Sequence, residues 1–330
     1  EELLEMFPEL GDIVNLRSKL VSNMLSENMR FSHYNTIAKE IEKEIKKGTD
    51  GIIITHGTDT LHYTSAALSF MLENLNIPIL LVGAQRSSDR GSSDAFLNLK
   101  GATNFISNCK DYSGVSVCMH NNTEDNKCAI ISGVKARKMH SSRRDAFKAI
   151  NSQPIALIDK EGKIGWLSKN EKKDNKSNKN LSVKYFNENL KIGILKAHPQ
   201  MFAEEFKMYS KFDGLILEGT GLGHFPIERY DEKTTEHELI VKEIKKLSKK
   251  IPLVMTVQTI FGGVNMNVYS PGRTLLDLGV LGDQQDITSE TAFIKLAFLL
   301  SNYPNKVKDM FNKNLKGEIS NKRLFQEKFL

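Results

Sequence analysis

The chain has 330 residues, 40% apolar and 26% charged, which is ordinary globular composition and enough length for two domains or one large one. Forty-six Lys and Arg against forty Asp and Glu leave a net charge of +6, too diffuse to establish nucleic-acid binding. Three cysteines (Cys109, Cys118, Cys128) form no CxxC pair, which argues against a disulfide framework or structural zinc and fits a reducing cytoplasm.

The opening residues, EELLEMF, read as a helix with Leu3, Leu4 and Phe7 on one face and acids in the first turn. The chain starts there without a methionine or a signal-peptide pattern, so an N-terminal truncation is expected. Residues 33–47 place Ile37, Ile41 and Ile45 on one stripe of an amphipathic helix. Ile52–Ile54 form a short continuous apolar run, the pattern of a parallel strand buried on both faces. A helix at 65–75, a strand at 77–83, a helix after Asp94 and a strand at 113–119 follow. This alternation with short connections predicts an α/β fold with a doubly wound parallel sheet.

Residues 168–180 are lysine- and asparagine-rich and lack any apolar side chain, so they read as a linker. Alternation then resumes with strands at 190–197, 212–219 and 251–258 and helices near 201–210, 234–248 and 288–301. The apolar stretch Ala292–Leu300 is short and carries Lys295, so it is no membrane span. The expected organisation is an N-terminal α/β domain over 1–165, a linker over 166–190 and a smaller C-terminal α/β domain over 191–330.

Ligands of open parallel sheets bind beyond the carboxyl ends of the strands. There the first strand runs into His56-Gly57-Thr58-Asp59-Thr60, residues that serve equally as a helix N-cap or as a ligand site. The next strand runs into Gly83–Asp94, twelve residues where such loops usually have about 2–6. His62, His120, His140 and His198 show no metal-ligand spacing, and no metal site is expected. Gly219-Thr220-Gly221-Leu222-Gly223 superficially suggests a phosphate loop but lacks the third dinucleotide glycine and the GK[ST] signature. The Arg137-Lys138…Arg143-Arg144 cluster is either a phosphate contact or a solvated basic face.

THGTDT, followed by VGAQRSSDRGSSDAFLNL, resembles the bacterial-type L-asparaginase and glutaminase superfamily. With VKARKMHSSRRDAF at 134–147 and EGTGLGHFP at 218–226, the chain is similar within it to the glutaminase subunits of archaeal glutamyl-tRNA(Gln) amidotransferases. The resemblance covers residues 1–320 and implies a two-domain asparaginase-like fold. It implies that Thr58 is the catalytic hydroxyl, Asp59 the adjoining carboxylate and Lys138, ten residues before Lys148, the family lysine rather than Lys135. Ser26 and Glu27 match the segment that clamps substrate, and Ala84 matches a residue that contacts it through its backbone. Free asparaginases carry glutamine where this chain has Glu27.

Threonine is a poor nucleophile without a base, and a lysine serves as one when burial lowers its pKa. Asp59 would orient Lys138 and stabilise it once protonated. The superfamily's first threonine, in a TGGTI-like run, has no match here, so this chain is expected to be inactive alone. The implied function is release of ammonia from glutamine for a tRNA-binding E subunit that converts Glu-tRNA(Gln) to Gln-tRNA(Gln). A homodimer is implied, with Gly219–Phe225 at its surface near the neighbouring subunit's site. No cofactor is implied in this chain; ATP and Mg belong to the partner subunit. The alternatives are a free L-asparaginase and a non-catalytic α/β binding module.

Overall fold

The computed structural model describes residues 5–86, 90–109, 111–167 and 179–321. Glu1–Leu4 and most of the lysine- and asparagine-rich stretch therefore lie outside the described residues. Phe7, at the end of the expected first helix, stacks against Phe96 with ring centroids 5.3 Å apart. The chain divides into two compact units, Glu1–Tyr185 and Phe186–Leu330.

In the first unit, helix α1 (Phe31–Lys46) buries Tyr34, Ala38 and Ile41 at helical spacing and pairs Glu40 with Lys43 and Glu42 with Lys46 on its outer face. Strand β1 (Ile52–Thr55) leads into α2 (Leu61–Met71), and β2 (Leu72–Glu73) into β3 (Pro78–Val82) and α3 (Ala95–Asn108). Then come β4 (Gly114–His120), β5 (Lys127–Ser132), the hairpin β6 (Ala136–Lys138) and β7 (Phe147–Ala149), β8 (Ala156–Asp159), β9 (Ile164–Trp166) and β10 (Ser182–Val183).

Six strands form one sheet in the order β1-β3-β4-β5-β8-β9. Only β1, β3 and β4 run parallel; β5, β8 and β9 are added antiparallel. The sheet is therefore mixed, not the parallel sheet that the early alternation predicts. The six residues between β4 and β5 are too few for a helical crossover, so the chain turns back as a hairpin. Leu80, Val82, Cys118, Cys128 and Ile130 pack on Leu99, Ala102 and Phe105 of α3. Ile52–Ile54 are half-buried, because β1 is an edge strand that pairs only with β3 among the described residues.

The second unit holds a three-stranded parallel sheet in the order β11 (Ile192–Lys196), β12 (Gly214–Gly219), β13 (Leu253–Val257). Its helices are α4 (Glu204–Lys207), α5 (Glu236–Ser248), α6 (Ser270–Asp277), α7 (Ser289–Asn302) and α8 (Val307–Phe311). Phe206, Leu215, Leu217, Ile240, Ile244 and Met255 belong to its core. Lys295 of α7 is wholly buried, its charge met by Glu318 at 2.6 Å. No helix among the described residues is long and apolar enough to cross a membrane.

Candidate active site

The parallel pairing of β1 with β3 sets Thr55 beside Val82, so the two loops leave the sheet side by side. One further ladder bond, His56 N–H to the Val82 carbonyl at 2.9 Å, holds them together. A Cβ on Gly83 would lie 2.8 Å from Thr58 Cγ2 and 3.0 Å from the His56 carbonyl oxygen. Glycine there is what lets the second loop touch Thr58.

The turn from Gly57 to Thr60 rests on Ser26. Thr60 Oγ1 donates to the Ser26 carbonyl at 2.7 Å, and Ser26 Oγ accepts from the Thr60 amide at 3.3 Å. Ser26 is buried against this turn, whereas neighbouring Glu27 is exposed. Thr60 precedes α2 but makes no side-chain cap. The capping alternative that the sequence allows is therefore not what these hydroxyls do.

Lys138 reaches the turn from another element. It is the last residue of β6, in register with Phe147 of β7, and Phe147 is buried against the His62 ring of α2. That anchoring delivers the Lys138 ammonium 2.9 Å from Thr58 Oγ1 and 2.7 Å from Asp59 Oδ1. The lysine side chain is 11% exposed and the aspartate 66%. Lys135, three residues earlier, is buried in the turn that enters β6. Ala84 is half-buried immediately after Gly83.

Burial sets the charge state of the flanking imidazoles. It lowers the His56 pKa and pushes that of His62 down to about 3, the latter helped by nearby Arg137 and Lys138. His56 Nδ1 donates to the Gly57 carbonyl at 2.6 Å, which leaves Nε2 to accept from Thr64 Oγ1 at 2.8 Å. Tyr34, itself hydrogen-bonded to Thr64, is pushed up to about 12 by burial. His56 is thus a strut beneath the turn.

Beside Thr58 and Lys138 runs a polar network that sequence reasoning missed. Asp94 accepts from the amides of Gln85 (2.9 and 3.0 Å) and Arg86 (3.0 Å), and Asn98 donates to the Gly83 carbonyl at 3.0 Å. Asp94 and Asn98 are one helical turn apart at the start of α3, a spacing visible in the sequence. Their orientation toward the preceding loop was not.

The remaining residues fall elsewhere. His140 Nδ1 accepts two amides, from Ser142 and Arg143, within the β6–β7 turn. His120 joins Asn98, and His198 pairs with Glu205 in the second unit. Among the described residues no group of His, Cys, Asp or Glu converges to hold a metal. Gly221 and Gly223 have φ of +50° and +103° in a tight turn closed by Thr220 and His224. Phe225 is buried in its own unit, and the exposed apolar side chains of that unit include Tyr230, Val268 and Tyr269.

The family model described as asparaginase, N-terminal, matches residues 1–172, and the glutaminase/asparaginase C-terminal domain matches 191–311. The glutamyl-tRNA(Gln) amidotransferase D subunit of Methanococcus maripaludis is 43% identical over 328 residues, 97% of this chain and 74% of that protein. The protein of that name from Pyrococcus furiosus is 42% identical over 325 residues, 97% of this chain and 70% of its own. The thermostable L-asparaginase from Thermococcus kodakarensis superposes with a TM-score of 0.82 at 27% identity, over 97% of this chain and 92% of that one. L-asparaginase I from Vibrio cholerae gives 0.81 at 28%, with the same coverage.

Proposed function

The chain belongs to the asparaginase and glutaminase family, and from that premise we propose that it is the glutaminase subunit of a glutamyl-tRNA(Gln) amidotransferase. The observation that carries the chemistry is Lys138 Nζ held 2.9 Å from Thr58 Oγ1 and 2.7 Å from Asp59. Relatives at 42–43% identity bear the amidotransferase name, while the asparaginase structures stand at 27–28%. That contrast favours the amidotransferase reading over a free L-asparaginase, and the threonine, aspartate and lysine set disfavours a mere binding module.

In this reading Lys138, as the amine, accepts the Thr58 proton while Thr58 accepts that of the attacking oxygen. The oxygen, that of the superfamily's first threonine, adds to the glutamine carboxamide carbon, the carbon–nitrogen bond breaks as the same pair returns the proton to departing ammonia, and water then cleaves the acyl–threonine ester to release glutamate. Asp59 stabilises the ammonium formed in between. Ser26 and Glu27 hold the substrate with the backbone at Ala84. The superfamily's acylated threonine has no match in these 330 residues, so we expect ammonia release by them alone to stay near background.

The working assembly is a cytoplasmic homodimer joined by two tRNA-binding E subunits. That partner contributes ATP, Mg and most of the contact with Glu-tRNA(Gln). The test is ammonia release from glutamine and asparagine by the protein purified with and without the partner. Glutamine-selective release that rises with partner and charged tRNA supports the reading; asparagine-selective release without a partner overturns it.

A further inference from the structure

The network at Asp94 continues away from the loop. Asn98 Nδ2 faces the Gly83 carbonyl and Asp94 Oδ2 (3.0 and 3.2 Å), so its Oδ1 is fixed as an acceptor and receives His120 Nδ1 at 2.7 Å. His120 is wholly buried on β4, and its Nε2 lies 3.1 Å from Asp125 Oδ1 in the β4–β5 turn. Asp125 pairs with Arg144, whose second nitrogen donates to the Thr123 carbonyl at 2.7 Å. Arg144 belongs to the turn that joins β6 to β7, and the Met139 amide beside Lys138 bonds across that turn to Ala146 at 2.6 Å.

The loop that carries Ala84 and the hairpin that carries Lys138 are thus joined by a run of polar contacts from the Gly83 carbonyl to Arg144, in which His120 bonds Asp125 when both its ring nitrogens carry a proton, and then by the backbone of the β6–β7 turn. Asn98 and His120 are fully buried, where a lost partner is costly and the geometry correspondingly fixed. We infer that Asn98, His120, Asp125 and Arg144 are positioning residues that set the Gly83–Arg86 backbone and the Lys138 hairpin as a single unit. The catalytic consequence rests on the glutaminase reading; the mechanical coupling does not.

Amide hydrogen exchange at Gln85 and Arg86 reads the coupling without any turnover. Arg144→Met and Asp125→Asn should each speed exchange at these two amides roughly 2- to 30-fold, with no change in melting temperature. Arg144→Lys should restore the slow rate, and Glu243→Gln, which breaks the unrelated Glu243–Lys246 pair on α5, should leave it untouched. In the partner-bound enzyme the same two variants should lower kcat for glutamine more than they change KM. An unchanged exchange rate in either variant overturns the inference, and Asp125, being mostly exposed, can be changed without threat to folding. Faster exchange in a protein that carries the superfamily's first threonine yet releases no ammonia with its partner leaves the coupling standing and sinks the glutaminase reading instead.

Discussion

Lys138 stands opposite Phe147 in the β6–β7 hairpin, and this pairing fixes which lysine faces Thr58. Because strand side chains alternate, moving the pairing by one residue turns the lysine to the other face. In a protein that also carries the superfamily's first threonine, Lys138→Met should cost glutamine turnover about 10²–10⁴-fold with little loss of stability. Ammonia release and the melting curve, measured on one preparation, check both halves; turnover within a few-fold of the parent would remove Lys138 from the mechanism.

Gly83 offers a subtler probe. An alanine methyl would meet Thr58 Cγ2 at 2.8 Å and the His56 carbonyl at 3.0 Å. Gly83→Ala should displace Thr58, cost about 1–3 kcal/mol in stability and lower kcat. Denaturant titration beside steady-state kinetics would show this. Unaltered kcat would mean that the turn yields without moving the hydroxyl.

The missing superfamily threonine makes a rate prediction. These 330 residues alone should hydrolyse glutamine at background, because cooperating catalytic groups fail together. Full turnover by them would make Thr58 the nucleophile and overturn the relay role proposed for it.

His62 predicts acid sensitivity in the first unit. Its folded pKa is depressed from 6.5 to about 3, so the unfolded chain binds the proton more readily over that interval. Stability present above pH 6.5 is lost as pH falls toward 3, by about 1.4 kcal/mol per pH unit. Urea midpoints at pH 7 and pH 5 should differ accordingly, and His62→Leu should flatten the difference. A parent midpoint independent of pH would contradict the burial argument.

In the second unit Lys295 and Glu318 form a buried ion pair at 2.6 Å, with Glu318 also accepting the amides of Leu315 and Lys316. Removing one partner leaves a charge stranded, so Lys295→Met should destabilise by about 3–5 kcal/mol. The double change Lys295→Met with Glu318→Leu should recover part of that loss in chemical denaturation. A double variant no better than the single would show that the Glu318 backbone contacts dominate.

The helices and the parallel strands were legible because α1, β1, β3 and β4 follow simple apolar patterns, whereas the two-residue β2 fell inside the helix expected at 65–75. The antiparallel strands from 127 to 166 escaped, since short strands linked by turns carry little period of their own. At the candidate site, Thr58, Asp59 and the Gly83 loop could be read as strand-end residues. Lys138 came only through family resemblance, because its choice over Lys135 depends on a hairpin register. Asn98 and His120 stayed invisible: what matters is which strand a helix lies against. Lys295 looked like an interruption of an apolar helix, and its partner lies 23 residues further on.

The basic residues around the β6–β7 hairpin carry a consequence for nucleic acid. Arg143 and Lys148 are both met by Asp145, Arg144 by Asp125, and Lys138 by Asp59. A protein gains affinity for a polyanion chiefly by setting free the counterions condensed on the phosphates, one for each cation it contributes. Three carboxylates offset all but one of these four cations, and offset cations contribute little to that exchange. Any grip of this face on RNA would therefore show a shallow dependence on ionic strength.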